Sequence, residues 1–365
     1  MEKILVISTM YPSKAHTGFG IFVENQVKAL KDRGFHVDVA AIKDPRINKP
    51  AVVVKYAFLI MRVLLIMLMK GRHYDIIHAH YVYPSGKLAL LFKKLFRTTV
   101  IVTAHGGDLD KMAKKGPFFF RQTKHVLHQA DFIIAVGEKL KQDMMGTFDV
   151  SEEIITVLNM GVDRQIFKPI SQAHARKLVH LPSSATVILF VGNIIEAKGI
   201  DELISACHDL KGTTPSLELH LIGARKDPAF ANQIREKMAR EDIQNSHIHP
   251  PMKQRDVARW MAAADVFVIP SYMEGFGLVA LEAMSCHTPV VGSDVGGLHY
   301  LLSGDCGILV KPKNRVSLRR GIERVLKETD LKQQLVANGE AKAETYDQEK
   351  LIGRLIAHYY RSYNL

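Results

Sequence analysis

The stretch Glu274-Gly-Phe-Gly-Leu-Val-Ala-Leu-Glu282 decides how this chain folds. Two carboxylates eight positions apart bracket a glycine-flanked turn and the start of an apolar helix. Upstream, Ala264-Asp-Val-Phe-Val-Ile-Pro-Ser271 reads as a buried strand running into a loop, and downstream Thr288-Pro-Val-Val-Gly292 reads as the next strand. Strand, turn, helix and strand make the repeating unit of a parallel sheet. Such a turn leaves the backbone N–H groups of Gly275, Phe276, Gly277 and Leu278 aimed outward, and the helix dipole adds partial positive charge there. That combination binds phosphate. Glu274 before the turn and Glu282 on the helix are then placed to accept hydrogen bonds from hydroxyls on either side of a pyrophosphate. A nucleotide-sugar offers those groups, ribose on one side and hexose on the other.

The same alternation extends in both directions. Short apolar runs at Ile4–Ser8, Val37–Ile42, Asp75–His80, Val100–His105, Phe132–Val136 and Ile154–Leu158 predict six strands of a doubly wound parallel sheet. A turn-rich stretch, Val157-Leu-Asn-Met-Gly-Val-Asp-Arg-Gln-Ile-Phe-Lys-Pro169, follows. The pattern restarts at Val187–Gly192 and recurs at Leu217–Ile222, Ile248, Val266–Pro270, Val290–Gly292 and Gly307–Val310. The reading is therefore α/β, with two Rossmann-like domains, 1–168 and 169–346, and a final helix over 347–365. Ligands of such sheets bind beyond the carboxyl ends of the strands, and nearly every motif described below follows a predicted strand.

With 365 residues, 47% hydrophobic and 24% charged, the chain has the composition of a globular protein large enough for two cores. Cys207, Cys286 and Cys306 are odd in number and form no Cys-x-x-Cys pair, which points to a reduced, cytoplasmic protein without structural zinc. No signal peptide is read at the start, because Met1-Glu-Lys leads straight into the first strand. The net charge of +12 is uneven: residues 1–165 hold 24 Lys and Arg against 15 Asp and Glu. A basic first half suits an anionic glycan or the inner membrane surface. No zinc-finger, RNP or helix-turn-helix signature accompanies the charge, so nucleic acid is set aside as a partner.

The segment Ala51–Met69, AVVVKYAFLIMRVLLIMLM, is apolar but interrupted by Lys55 and Arg62. An arginine near a bilayer centre costs roughly 2.5–3.5 kcal/mol, which argues against a span. Two placements remain. One is an amphipathic helix at a lipid interface. The favoured one is a helix packed in the core of the first domain, its two basic side chains snorkelling outward.

Several further motifs carry chemistry. Gly18 and Gly20 precede a helix and would let backbone approach a phosphate or acceptor, although a plain strand-to-helix turn explains them as well. His105-Gly-Gly-Asp108 follows the fourth strand. Asp108 and Asp110 also satisfy D-x-D, a pattern too common to carry weight alone. His78 and His80 alternate on one face of a strand; without a third ligand at suitable spacing they read as a structural or acceptor-side pair rather than a metal site. Gly192-Asn193-Ile-Ile-Glu-Ala-Lys198-Gly199 follows the first strand of the second domain.

The string Pro270-Ser-Tyr-Met-Glu-Gly-Phe-Gly-Leu-Val-Ala-Leu-Glu-Ala-Met284 resembles the donor-site signature of retaining GT-B glycosyltransferases of family 4. The string Tyr11–Gln26 is similar to the N-terminal glycine loop of that family, particularly in transferases of cell-wall polysaccharides. The resemblance runs from Ile4 to the last helix. It implies two Rossmann-like domains facing a central cleft, with the final helix crossing back to the first. It further implies that His105 positions the sugar, that Asp108 holds its loop or the acceptor, and that Lys198 meets the donor pyrophosphate. Gly18, Gly20, Asn193, Gly275, Phe276, Gly277, Leu278 and Glu282 would line the donor, and Glu274 would hold sugar hydroxyls. The family's G-R-x-x-x-x-K-G has Asn193 at its arginine, A-C-G-T-P has His287 at its glycine, and G-G-x-P-E ends here in His299-Tyr300.

The implied activity is transfer of a hexose from a nucleoside diphosphate, a UDP-sugar in preference, to a lipid-linked or polysaccharide acceptor. Neither metal nor cofactor is called for, and peripheral contact with anionic membrane is expected. A sugar-nucleotide epimerase of the same fold and a non-catalytic sugar-nucleotide or glycan-binding protein are the alternatives. A Rossmann dehydrogenase is disfavoured, since no G-x-G-x-x-G follows either first strand.

Overall fold

The computed structural model describes residues 2–46, 48–243 and 246–361, without the side chains of 110, 111 and 358–361. Two compact units form, Met1–Met160 with Glu349–Leu365, and Gly161–Gln348. In unit 1 a six-stranded sheet runs β2-β1-β3-β4-β5-β6, built from β1 (Lys3–Ser8), β2 (His36–Ala41), β3 (Ile76–His80), β4 (Thr99–Ala104), β5 (Phe132–Ala135) and β6 (Ile155–Val157). In unit 2 the order is β12-β11-β10-β7-β8-β9, from β7 (Thr186–Val191), β8 (Leu217–Ile222), β9 (His247–His249), β10 (Val266–Ile269), β11 (Val290–Ser293) and β12 (Ile308–Val310). Every pairing is parallel. All twelve expected strands are present, with ends shifted by a residue or two, and the two sheets with interleaved helices have the architecture of the GT-B class.

Parallel strands must be covered on both faces, and their side chains alternate between the two. Unit 2 shows this directly. Val187, Leu189, Phe267 and Ile269 enter one apolar cluster, while Ile188, Phe190, Val266 and Val268 enter the other. Phe190 and Phe267 are fully buried, so truncating either to alanine would cost about 3–5 kcal/mol.

The division between units falls at Met160/Gly161, eight residues before the 168/169 expected from sequence. The turn-rich stretch belongs to unit 2 because its apolar side chains are buried there. Val162 and Phe167 are each 1% exposed and sit in one of that unit's clusters. Val162 also exchanges backbone hydrogen bonds with Tyr346 and Gln348, and Ser285 Oγ donates to the Phe167 carbonyl. The second division, expected at 346/347, lies at Gln348/Glu349. The last helix, Gln348–Arg361, returns to unit 1, where Leu351, Ile352 and Leu355 are buried and Glu349 pairs with Arg33. Its expected continuation to Tyr363 lies outside the described residues.

A larger correction concerns the apolar segment. It forms α2 (Lys49–Lys70), capped by Asn48 Oδ1, which accepts from the Ala51 N–H. Only Leu59 and Val63 are buried, so the favoured core placement fails. Lys55 and Arg62 do not snorkel outward either. They turn inward and hydrogen-bond the carbonyls of Asp44, Arg46 and Val39. Carbonyls on the open edge of β2 and in the loop after it attract the cations, and the apolar face is left outside.

His287 has a left-handed backbone, φ +61°, where Cys286-His-Thr-Pro turns from the helix Leu278–Ser285 into β11. Glycine adopts that conformation without the Cβ clash, which accounts for the family's glycine there. The half-exposed contact between His287 and Glu340, 3.4 Å, returns little. His287→Gly is expected to stabilise unit 2 by about 0.5–1 kcal/mol in urea unfolding. A loss of stability would show that the imidazole contact outweighs backbone strain.

Candidate functional site

Where strand order reverses, neighbouring loops diverge and a crevice opens at the carboxyl ends. In unit 2 this point lies between β7 and β10, because the chain adds β8 and β9 on one side of β7 and β10 to β12 on the other. The loop after β7 carries Asn193 and Lys198; the loop after β10 carries Glu274. Topology therefore brings Lys198 and Glu274 together across 76 residues: Lys198 Nζ donates to Glu274 Oε2 at 2.6 Å, both side chains being largely covered.

Three contacts fasten these loops to each other. Gly199, with φ +65°, lies so close to β10's exit that a Cβ there would sit 2.0 Å from the Pro270 carbonyl oxygen. The Tyr272 N–H donates to the Ala197 carbonyl at 3.0 Å. The Tyr272 hydroxyl donates to the Glu202 carboxylate at 2.7 Å, and burial followed by that hydrogen bond raises its pKa. On the far side the Gly297 N–H donates to the Glu274 carbonyl at 3.1 Å. The N–H groups of Gly275, Phe276, Gly277 and Leu278 have no acceptor among the described residues, so the start of the helix Leu278–Ser285 presents them unpaired. Phe276 packs edge-on against Tyr346 at 5.2 Å.

Glu282, on that helix, is half-buried and its carboxyl has no hydrogen-bond partner among the described residues. Burial pushes its pKa up to about 8. Asn193 is half-buried with a side chain that bonds to nothing described, so its amide is a neutral donor where the family's arginine would bring charge. His299 is exposed and pairs with Asp294 at 2.6 Å.

Unit 1 reverses its strand order between β1 and β3. Gly20 caps α1 (Ile21–Asp32) with φ +74°, and a Cβ there would meet the Met10 backbone at 2.6 Å, so this turn demands glycine. Gly18 is exposed with nothing against it. From β3 and β4 comes a chain of imidazoles. His78 bonds Thr103 Oγ1 at 2.7 Å and stacks on His80 at 4.5 Å; His80 Nδ1 meets His105 Nε2 at 3.1 Å. Burial and the neighbouring His78 push His105 down to about 3, and burial holds His80 well below the usual imidazole range. All are neutral at pH 7. Asp108 is 2% exposed and accepts from the N–H groups of Val82 and His105, which fixes the loop after β4 to the segment after β3; burial raises its carboxyl to about 6.

Among the described residues no three His, Cys, Asp or Glu side chains are placed to hold a metal ion. Sequence reading missed Tyr272 and Glu202, which lock the loops, and missed that His80 reaches His105. Tyr272 occupies an unspecified place in the P-S-x-x-E string, and its partner is remote in sequence. His80 pairs in register with Thr103, so the sheet, not the sequence, sets it beside His105.

Comparison with known proteins bears on both units. The family model for group 1 glycosyl transferases matches residues 172–342, and that for glycosyltransferase family 4 matches 16–166. The D-inositol 3-phosphate glycosyltransferase of Streptosporangium roseum is 29% identical over 308 residues, 78% of this chain and 69% of its own length. TuaC of Bacillus subtilis, a glycosyltransferase named for teichuronic acid biosynthesis, is 26% identical over 364 residues, 88% of each chain. The structure of Anabaena HepE in complex with UDP-glucose superposes with a TM-score of 0.79 over 99% of this chain and all of that one, at 19% identity. With residues 16–166 matched by the family 4 model and residues 172–342 by the group 1 model, this chain belongs to the group 1, family 4 glycosyltransferases.

Proposed function

We propose that this glycosyltransferase moves a hexose from a UDP-sugar to a lipid-linked or polysaccharide acceptor, with retention and without a metal ion. The observation that carries the reading is the Lys198 ammonium held on the Glu274 carboxylate beside four unpaired N–H groups. Charge develops on the departing diphosphate, and fixed donors aimed at it supply most of the catalysis. Lys198 gives one N–H to Glu274 and keeps two for phosphate oxygens. Glu274 in turn accepts from hexose hydroxyls, Glu282 from the ribose diol. The neutral imidazole of His105 is assigned to orienting the hexose. Gly18, Gly20 and Asn193 are assigned to the donor with less support, since Gly20 already has a structural reason. A leaving phosphate oxygen would take the acceptor proton on the same face, which accounts for retention without a protein base.

The donor preference draws support from the HepE complex with UDP-glucose, the polymer acceptor from the likeness to TuaC along most of both chains. A cytoplasmic location follows from nucleotide-sugar use.

Two outcomes are expected. Glu274→Ala should lower UDP release from UDP-glucose by roughly 10²–10³-fold while its unfolding midpoint stays near that of the parent; normal turnover would contradict the assignment. Glu282 is protonated below about 8 in the free protein. The ribose diol donates to its carboxylate, so binding must expel a proton there. UDP affinity should therefore rise by up to about tenfold per pH unit as pH climbs from 6, and level off above 8. Calorimetry of Glu282→Gln should show that slope lost; an unchanged slope would remove the ribose role.

A further inference from the structure

Among the described residues, nine of the sixteen exposed large hydrophobic side chains lie on α2. Val54, Phe58, Met61, Leu65 and Leu68 follow one another at helical spacing, and they are 67%, 56%, 51%, 51% and 80% exposed. Monomeric proteins rarely show a contiguous patch of this kind without a partner. The helix cannot bury it by rolling. Its opposite stripe is fixed: Leu59 and Val63 enter the core, Lys55 Nζ donates to the carbonyls of Asp44 and Arg46 at 3.1 and 2.6 Å, and Arg62 donates to that of Val39 at 2.9 Å.

The surroundings identify the occupant by charge. From Lys49 to Tyr74 the chain has no Asp or Glu. Lys49 is exposed at one end of α2, Lys70 and Arg72 at the other. Beside that second end, α3 (Lys87–Phe96) brings the Phe96 ring against Gly71, which sets exposed Lys94, Leu95 and Arg97 close by. A cleft of about 500 Å³, lined by Lys3, Lys31, His36, Asp38, Lys70 and His73, opens at the same end. Apolar side chains framed by cations match the acyl boundary and headgroups of an anionic bilayer.

We infer that α2 lies in the plane of an anionic membrane, its outer stripe among acyl chains and the flanking cations on lipid phosphates. A second copy fits worse, because a two-fold pairing of α2 with itself sets Lys49 of one chain near Lys70 and Arg72 of the other, and Asp38, 3.8 Å from Lys70, offsets only part of that charge. A transmembrane placement also fails. Although Lys49–His73 is long and apolar enough to cross a bilayer, spanning would tear Lys55 and Arg62 from the carbonyls of Asp44, Arg46 and Val39 and carry both cations into hydrocarbon without partners. The inference stands on unit 1 alone and survives failure of the donor assignment.

The test is co-sedimentation of the full chain with phosphatidylcholine vesicles, with and without about one-third phosphatidylglycerol, at low and high salt. Binding should require phosphatidylglycerol and weaken with salt. The double variant Leu65→Glu/Leu68→Glu should lose at least tenfold in partitioning with an unchanged melting curve, and Lys70→Gln and Arg72→Gln roughly fivefold each. Light scattering on the same samples reports oligomeric state. A folded parent chain that ignores these vesicles overturns the proposal. So does a dimer that the double variant splits while vesicle binding is absent, or binding that persists undiminished in the double variant.

Discussion

The transfer activity proposed for this protein depends on the contact between two loops at the switch point of unit 2. Gly199 lies against the Pro270 carbonyl with no room for a Cβ, and Tyr272 ties the backbone of one loop and a helix of the other. Those contacts set the Lys198 ammonium on the Glu274 carboxylate. A flexible lysine on a solvated loop would lose much of its side-chain freedom on meeting a phosphate. Here the carboxylate has already fixed its direction, which is preorganisation of the kind that lowers the cost of binding. The pairing also keeps either charge from being stranded in a largely covered place.

Much of this was legible in the sequence, for reasons specific to particular residues. The strands were visible because parallel strands, buried on both faces, are continuous apolar runs bounded by glycine and proline. Glu274 was visible because a glycine-flanked turn and an apolar helix follow such a run, and Lys198 through its match to the family's G-R-x-x-x-x-K-G string. The first domain boundary was misplaced because Val162 and Phe167 lie in a turn-rich stretch whose destination only tertiary packing decides. The placement of α2 failed for a different reason. Periodicity finds an apolar face and a cationic face but says nothing of which one the rest of the protein attracts. Carbonyls on the edge of β2 and in the loop after it drew Lys55 and Arg62 inward and so reversed the usual arrangement.

The two units divide their polar chemistry differently. Unit 1 lines its strand ends with imidazoles that burial keeps neutral, suited to hydrogen bonding without attracting counter-charge. Unit 2 concentrates an ammonium, unpaired N–H groups and two carboxylates, one of them held uncharged near neutrality by its surroundings. Asn193 is the point where this chain has less positive charge than its family pattern.

The central claim is that the turn after β10, with Lys198, holds a nucleoside diphosphate. Calorimetric titration of UDP into the parent chain and into Lys198→Met in metal-free buffer tests it most directly. Saturable one-to-one binding, weakened roughly 10–100-fold by the substitution, is the predicted result. Absence of binding by the folded parent, or equal affinity in the variant, would contradict the account.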